Sequence, residues 1–488
     1  MNSIIIGSIM LSILQSILFW DKKPGISVLI FVIATLALLV YIMHKNGKIK
    51  NKKALAFIIP ITLLGNTYFV YNNTFFKKLN SIVIIALFII MCIYLNKNKI
   101  KLPQFLYKIL AIIMGAIESI TDVLNYFKKF KIVIKHRNNE KVLKIVKAIL
   151  ISLPIVVIVM ILLISADSIF ANIFSQIFEW IEKIRTLNGV SEFFGRIGLI
   201  IVAFLFFAGF LINVTANNTM FTQEEMEEEK KPGIKIENIT INTIFTILNI
   251  IYLVFSTIQF TNLFSQIGNA EGFNYAEYAR QGFFQLMFVS FINFGILFIA
   301  NINKKEIEIN SKKYKKIMSI LIVLFTIIII ISAFYRMSLY EQEYGYTYLR
   351  LFVYFILATE LILTIPIILY ILEKNINLLK VSIIIVTTMY VALNFINIDN
   401  LIAKRNIDRY FENPDKRTID LNYLMKNTGT DAVSQISRLL NAKDKQVSKR
   451  VREYLYNGKE EYKKEEKKWQ EFNLSKMKAE RILEELLH

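Results

Sequence analysis

The segment KIMSILIVLFTIIIIISAFY, residues 316–335, carries a single charged residue, at its first position. A helix of about 20 apolar residues is long enough to cross the roughly 30 Å hydrocarbon core of a bilayer. This segment is therefore predicted to be a transmembrane helix. Similar apolar runs occur on both sides of it along most of the chain.

Eleven spanning helices are predicted from these runs. They lie at about 3–19, 26–43, 54–72, 79–95, 146–166, 197–214, 239–264, 281–300, 316–335, 349–372 and 378–397. The first run has no basic segment before it and no clear cleavage site after it, so we expect a retained helix and not a signal peptide. The predicted fold class is all-α, a polytopic transmembrane helical bundle with a small charged helical C-terminal tail.

The assignment predicts four parts of the chain. They are a four-helix transmembrane part at 1–100, a cytoplasmic basic loop at 101–144, a seven-helix transmembrane core at 145–397 and a soluble helical tail at 398–488. Within the loop, apolar residues recur at a helical period over 103–135, but the continuous apolar centre is too short to span. This pattern predicts an interfacial amphipathic helix on the cytoplasmic leaflet.

The tail changes composition sharply and carries many charges. Thr430 and Asp431 are predicted to cap a helix over 432–440. A longer helix is predicted from about 446 to 487, weakened or divided in two at Gly458. The tail is therefore expected to be a helical appendage and not a catalytic domain.

The composition excludes several classes of protein. Of the 488 residues, 55% are apolar, and the mean hydropathy is +0.47. These values rule out a soluble enzyme, a collagenous chain and a largely disordered one. The single cysteine, Cys92, rules out a disulfide within the chain, and the three histidines form no evident metal cluster. No nucleotide-binding, metalloprotease or hydrolase signature occurs, so no cofactor and no metal are expected.

The distribution of Lys and Arg among the loops predicts the orientation. Loops 44–53, 96–145, 215–238, 301–315 and 373–377 are basic or mixed, whereas the alternate loops carry few basic residues. The positive-inside rule then puts the N-terminus inside and, with eleven spans, the C-terminus outside. The abundance of Ile, Lys and Asn is typical of an AT-rich bacterial genome, so we expect the bacterial cytoplasmic (inner) membrane.

The net charge of +20 does not require a nucleic acid partner. Much of it belongs to loop lysines facing anionic lipid, where each contributes about 1 kcal/mol of attraction. The expected partners are therefore the lipid bilayer and, through the tail, a protein.

Polar and aromatic residues collect at the predicted outer ends of the helices. The selected residues are Tyr275, Glu277, Tyr278, Arg280, Tyr344, Arg350, Asp399 and Arg405. Two interpretations stay open. Tyrosine is favoured at membrane interfaces and Arg–carboxylate pairs can lock helix ends together, which would make the cluster structural. Alternatively, Arg280, Arg350 and Arg405 form an outward-facing pocket that grips a carboxylate or phosphate.

Glu360 lies near the middle of the predicted span 349–372. An ionisable group at that depth costs at least about 2.5 kcal/mol, so it should face other helices and find a partner. It is either a proton or cation site or a hydrogen-bonded packing residue. Its candidate partners are Asn249, Gln259, Asn262, Asn293 and Asn394.

Several motifs carry a resemblance to a known family. They are Tyr275-Ala276-Glu277-Tyr278-Ala279-Arg280 with Gly282-Phe283-Phe284, Tyr344-Gly345-Tyr346-Thr347 with Leu349-Arg350, Asn397-Ile398-Asp399 with Ile402-Ala403 and Asn406-Ile407, and Asp420-Leu421-Asn422-Tyr423-Leu424. Over roughly residues 145 to 440 they resemble a bacterial multi-pass membrane family, domain of unknown function 4173. Lys404-Arg405-Asn406 departs from the Arg-Tyr-Asn expected there. The resemblance implies an integral membrane protein and no established reaction.

Three functions are compatible with these features. The leading expectation is a non-enzymatic envelope protein that senses or scaffolds through its outer face and tail. The first alternative is a secondary transporter or channel subunit with Glu360 as its proton or cation site. The second alternative is a membrane-embedded enzyme acting on lipid-linked precursors, with Asp21, Asp167, Glu277 and Glu341 as candidate acids or bases.

Overall fold

A computed structural model describes most of the chain. The described residues are 1–96, 189–215, 238–265, 283–302, 309–374, 376–414 and 417–486, with scattered residues between 104 and 123. They form helices joined by turns and contain no β-strand within these ranges. The all-α prediction is confirmed.

The α-helices of the described ranges are numbered in chain order. The first five are α1 (Asn2–Phe19), α2 (Ile26–Lys45), α3 (Ile58–Val70), α4 (Thr74–Asn96) and α5 (Gly189–Thr215). The next five are α6 (Asn238–Ser265), α7 (Phe283–Ile302), α8 (Ile309–Tyr344), α9 (Tyr348–Ile371) and α10 (Leu378–Phe395). The last five are α11 (Ile398–Glu412), α12 (Leu421–Asn427), α13 (Val433–Ile436), α14 (Lys445–Lys464) and α15 (Leu474–Leu486).

Eight helical segments of the described chain are long and apolar enough to cross a membrane. They are Asn2–Phe19, Ile26–Lys45, Lys52–Val70, Thr74–Asn96, Gly195–Thr215, Lys312–Tyr344, Tyr348–Ile371 and Leu378–Phe395. Each overlaps one of the eleven predicted spans. The chain is therefore a helical membrane protein.

The other three predicted spans do not coincide with a described helix that is long and apolar enough to cross a membrane. Those at 239–264 and 281–300 fall on α6 and α7, whose described apolar parts, Ile241–Thr257 and Gln285–Phe298, are shorter. The predicted span 146–166 lies outside the described residues.

The described residues divide into two compact units. Unit 1 comprises those of Met1–Phe69, Asn80–Glu224 and Lys467–Asn473. In it, α1 packs along α5, and Nε of Arg196 donates a hydrogen bond to Oγ of Ser16 at 2.8 Å. Of the predicted interfacial helix 103–135, only scattered residues are described. They include Ala116, whose backbone lies against Gly209 of α5 so closely that a Cβ there would collide with it.

Unit 2 comprises the described residues of Val70–Leu79, Glu225–Glu466 and Leu474–His488. Within it, α8 packs against α6, α7 and α9, and α9 also packs against α10. Fully buried apolar side chains fill the space between these helices, among them Phe245, Ile322 and Leu357. A bundle of this kind satisfies all backbone hydrogen bonds internally, as lipid requires.

The tail helices of unit 2 do not pack only with each other. Their hydrophobic core contains Ile402, Leu424 and Val451, all nearly fully buried, and the same core includes Phe76 of α4 and Leu393 of α10. Residues at the ends of membrane helices and residues of the tail are therefore buried together.

Two details of the predicted tail helices were wrong. The residues predicted as a helix over 432–440 are helical, as the four-residue α13 between two 3-10 segments, but the side chains of Thr430 and Asp431 do not cap it. The carboxylate of Asp431 instead accepts hydrogen bonds from Asn72 and Asn397. These partners satisfy the acceptor that a cap would have used.

The long helix predicted over 446–487 is two helices, α14 and α15. The interruption lies at 465–473, whereas Gly458 remains helical. Within unit 1, Lys467–Asn473 is held by its backbone and side chains. Phe472 O accepts from Ile26 N at 3.1 Å, and the Asn473 amide donates to Tyr68 O at 2.8 Å. The Phe472 contact favours a break there because it uses a backbone carbonyl that a continuous helix would satisfy internally.

Candidate functional site

The turn between α8 and α9 is formed by the motif Tyr344-Gly345-Tyr346-Thr347. Gly345 has a φ of +77°, a left-handed conformation that glycine adopts without steric strain. Thr347 then caps α9, because its side-chain oxygen accepts a hydrogen bond from the backbone N of Arg350 at 3.5 Å. The motif therefore reverses the chain between two membrane helices.

Arg350 points back into this turn. Its Nη1 donates a hydrogen bond to the carbonyl oxygen of Gly345, and its guanidinium lies over the ring of Tyr340, 4.3 Å from the centroid. The ring of Tyr344 is 5.8 Å away. Only 9% of Arg350 is exposed, and its Nε is buried with no hydrogen-bond partner among the described residues. Cation–π contacts of this kind contribute about 0.5 to 2 kcal/mol.

The helix α11 is tied to the same turn by Asn406. Its side-chain Oδ1 accepts from Tyr346 N at 2.7 Å, and its Nδ2 donates to Tyr346 O at 2.9 Å. The hydroxyl of Tyr423 accepts from Tyr348 N at 2.9 Å, and burial raises the pKa of Tyr423 to about 12. We call Tyr340, Tyr344, Gly345, Tyr346, Arg350, Asn406 and Tyr423 the junction cluster.

Two carboxylates, the buried Asp399 and the half-buried Asp431, lie beside the start of α11. Asp399 accepts hydrogen bonds from Nδ2 of Asn73 at 2.6 Å and from the backbone N of Gly429 at 2.8 Å. Asp431 accepts from the backbone N of Asn72 at 2.8 Å and from Nδ2 of Asn397 at 3.3 Å. We call Asp399 and Asp431 with these partners the carboxylate latch. It joins the loop before α4, the start of α11 and the segment after α12.

Burial dominates the electrostatics of the latch. It raises the pKa of Asp399 to about 7, and the neighbouring charge of Asp431 acts in the same direction, while the hydrogen bonds from Gly429 and Asn73 oppose it. Burial also raises the pKa of Asp431, against which the nearby charge of Lys77 acts. A carboxyl group with a pKa near neutrality changes its charge in the physiological pH range.

A second group of polar side chains lies inside unit 2. Glu360 of α9 is 4% exposed, and its Oε2 lies 2.6 Å from Oγ of Ser290 on α7. One turn further along α7, Asn293 accepts from the hydroxyl of Tyr252 on α6 and donates to Thr326 on α8 at 2.9 Å. We call these five side chains the bundle polar layer. Oε1 of Glu360 is buried with no hydrogen-bond partner in the described chain.

The residues selected from the sequence have different outcomes. Tyr275, Glu277, Tyr278, Arg280 and Asp167 lie outside the described residues. Tyr344 and Arg350 meet in the junction cluster, and Asp399 is buried in the latch. Arg405 is exposed on α11. The convergence of three arginines on one ligand stays a prediction.

The other acids and amides selected from the sequence form contacts of their own, apart from Glu360. In unit 1, Asp21 lies 3.5 Å from Lys468, and in unit 2 Glu341 accepts from the hydroxyl of Tyr354 at 3.3 Å. Of the amides proposed as partners of Glu360, Asn249 donates to Met318 O at 3.1 Å and Asn394 to Tyr390 O at 2.9 Å. The side chains of Gln259 and Asn262 lie outside the described residues.

Sequence reasoning missed Ser290, Asn73 and the role of Asp431. Ser290 is a small polar residue in an apolar run and gives no signal by itself. The Asn72-Asn73 pair between two apolar runs is a stronger signal, because asparagine is uncommon where a helix end is buried. Among the described residues, no three His, Cys, Asp or Glu side chains lie close enough to hold a metal ion.

A family model described as a domain of unknown function, DUF4153, matches residues 58–439, most of the chain. The chain belongs to this family. The family number suggested by the sequence motifs, 4173, is not confirmed. No curated protein matches the chain, and no solved structure does.

The DUF4153 match includes the three named groups of polar side chains. The junction cluster, the latch and the bundle polar layer all lie within residues 58–439, whereas α14 and α15 follow it. These two helices nevertheless bury Val451, Leu455 and Leu483 in the core shared with α11 and α12.

Proposed function

We propose that this DUF4153 protein is a non-enzymatic envelope protein that senses or scaffolds through its outer face and its helical tail, residues 398–488. The observation that supports the proposal is the core shared by the tail and the membrane helix ends, in which Phe76 and Leu393 pack with Ile402 and Leu424. A close-packed core transmits strain because its side chains have little free volume. A partner that displaces the tail would therefore also displace the helix ends.

The helix α14 offers a surface for such a partner. Its buried stripe is Val447, Val451 and Leu455, spaced four residues apart. The opposite face is charged and includes Tyr456, which is 56% exposed. An amphipathic helix with one face in the core leaves the other face free for recognition.

We also propose that the protein lies in the bacterial cytoplasmic membrane with its N-terminus inside and its tail outside. The concentration of Lys and Arg in alternate loops supports this orientation. The sensed or scaffolded partner would then be a component of the envelope.

Photocrosslinking of the full-length protein in growing cells tests the tail. A photoreactive amino acid at Tyr456 is expected to capture a defined envelope protein. Ile331 of the membrane helix α8 is a matched control, because it is 58% exposed against 56% for Tyr456. The control is expected to capture lipid. The proposal is contradicted if Tyr456 yields no protein adduct, or if both positions yield the same protein adducts.

A second candidate is a secondary transporter or channel subunit. The buried Glu360, with one carboxyl oxygen unbonded in the described bundle, favours it. Ion flux into proteoliposomes should fall in Glu360→Gln, whose amide can still bond Ser290. Unchanged flux would remove Glu360 from any transport role. For the enzymatic alternative, no described contact of Asp21 or Glu341 adds support.

A further inference from the structure

The bundle polar layer brings together side chains from four neighbouring helices. Tyr252, Ser290, Asn293, Thr326 and Glu360 are each less than one-tenth exposed. They come from α6, α7, α8 and α9, which pack into one bundle within unit 2. Polar groups in such a place must satisfy one another, because lipid offers no hydrogen bonds.

The hydrogen bonds of Ser290 constrain where the proton of Glu360 can lie. Its Oγ lies 2.7 Å from Met287 O and 2.6 Å from Oε2 of Glu360. A hydroxyl carries one hydrogen and cannot donate to both oxygens. If Ser290 donates to Met287 O, the hydrogen between Ser290 and Glu360 must belong to Glu360, which is then a neutral carboxylic acid.

The ionised alternative is much less favourable. Ser290 would then donate to Glu360 and leave Met287 O without that bond. Oε1 of Glu360 would remain charged and unbonded in an apolar interior, a state that is strongly penalised. These contacts favour a proton bound to Glu360 over the ionised carboxylate.

A metal cation fits this place poorly. The oxygen of Asn293 is occupied by Tyr252, and the hydroxyl of Thr326 donates to Ile322 O at 2.7 Å. The remaining side-chain oxygens of the layer are those of Glu360, Ser290 and Tyr252, whereas Ca²⁺ or Mg²⁺ takes about six oxygen ligands. A proton needs only one acceptor.

Few other groups of the described chain contact the carboxyl group of Glu360. Among the described residues, the Ser290 hydroxyl is the side-chain group that forms a hydrogen bond with Glu360, and no ion pair joins Glu360 to a charged side chain of α6, α7, α8 or α10. Tyr252 is the other titratable group of the layer, and its hydroxyl is held by Asn293.

We propose that Glu360 is an exchangeable proton site in the membrane-embedded bundle and that Ser290 is its hydrogen-bond switch. In the protonated state, Glu360 donates to Ser290 and Ser290 donates to Met287 O. On release, the proton passes to water and the Ser290 hydrogen turns from Met287 O to Oε2 of Glu360. Oε1 is where an incoming water can bind. The inference deepens the transporter candidate by naming its ion, yet a proton can exchange without any flux.

Infrared difference spectroscopy of the full-length protein in proteoliposomes tests the site. The wild-type spectrum minus that of Glu360→Gln isolates the carbonyl band of a protonated glutamic acid. We expect this band in acidic buffer, its loss as the buffer is made alkaline, and a shift in heavy water. Ser290→Ala should move the band to higher frequency, because a hydrogen bond to the acid is lost. Thr364→Val, whose hydroxyl donates to Leu361 O at 2.7 Å, should leave it unchanged.

Three outcomes contradict the proposal. A band that persists in every buffer and does not shift in heavy water would show that Glu360 is a packing residue that does not exchange its proton with solvent. The absence of a band in every buffer describes a permanently ionised group. A band unchanged by Ser290→Ala removes Ser290 as the switch. Proton binding with unchanged ion flux would leave the site intact and remove only the transporter candidate.

Discussion

Asn73 donates a hydrogen bond of 2.6 Å to Asp399, 326 residues later in the chain. The same amide donates to the hydroxyl of Tyr348 at 2.8 Å, and Oδ1 of Asn73 accepts from Phe76 N at 2.8 Å. One side chain thus connects the first turns of α4, α9 and α11. This connection is where movement of the tail would reach the membrane helices.

Removal of the Asp399 carboxylate should destabilise the protein. Asp399→Ala leaves the half-buried backbone N of Gly429 without its acceptor and removes one bond of the buried Asn73. An unsatisfied buried donor should lower the free energy of unfolding by about 1 to 3 kcal/mol. Asp408→Ala is the control, because its ion pair with Arg438 at 2.7 Å is partly exposed and should contribute about 0 to 1 kcal/mol. Equal melting temperatures in detergent for the two variants would contradict the latch.

The stability should fall as the pH rises. The pKa of Asp399 is about 7 in the folded protein against 3.8 without burial, so the folded state binds the extra proton between these values. Stability from this group is complete below about pH 4 and is lost as the pH rises through about 7. Asp399→Asn should flatten this slope of melting temperature against pH. Identical slopes for the variant and the wild type would show that Asp399 does not titrate there.

The turn glycine should be intolerant of a side chain. Gly345→Ala introduces strain at a φ of +77° and a collision with Oδ1 of Asn406. Gly47→Ala isolates the strain, because Gly47 has a φ of +66° with nothing within 4 Å. The strain in Gly47→Ala should lower the free energy of unfolding by about 1 to 2 kcal/mol. The collision in Gly345→Ala should lower it by about 1 kcal/mol or more in addition. Equal losses of stability for the two variants would mean that Asn406 gives way freely.

Arg350 and Arg405 should respond differently to substitution by lysine. Arg350→Lys loses the planar group that stacks on Tyr340 and bonds Gly345, and should cost about 1 to 2 kcal/mol. The exposed Arg405 should tolerate lysine within about 0.5 kcal/mol. Thermal melts with and without phosphate distinguish the interpretations of the junction cluster. If phosphate raises the melting temperature of the wild type but of neither variant, the anion pocket is favoured over the structural interpretation of the cluster.

The membrane helices were predictable because the signal is local. Residues 316–335 were assigned to a span from their own composition, and they lie within Lys312–Tyr344. The burial of Glu360 was also expected, since an acid at that depth must avoid lipid.

The partners of the buried acids were not predictable, because they come from distant segments. Ser290 precedes Glu360 by 70 residues, and Asn73 is farther still from Asp399. A weakening or division of the long tail helix was predicted at Gly458 on propensity alone, but the break lies later in the chain, where Lys467–Asn473 makes tertiary contacts. Tertiary contacts thus override a weak local preference.

The exposure of the tail on the outer side of the membrane is tested most directly by cysteine labelling in intact cells. The native Cys92 is buried, so a single introduced cysteine can be followed with an impermeant maleimide. Tyr456→Cys should be labelled in intact cells, whereas Lys50→Cys, in a predicted cytoplasmic loop, should be labelled only after permeabilisation. Labelling of Tyr456→Cys only after permeabilisation would contradict the account and direct the search to cytoplasmic partners.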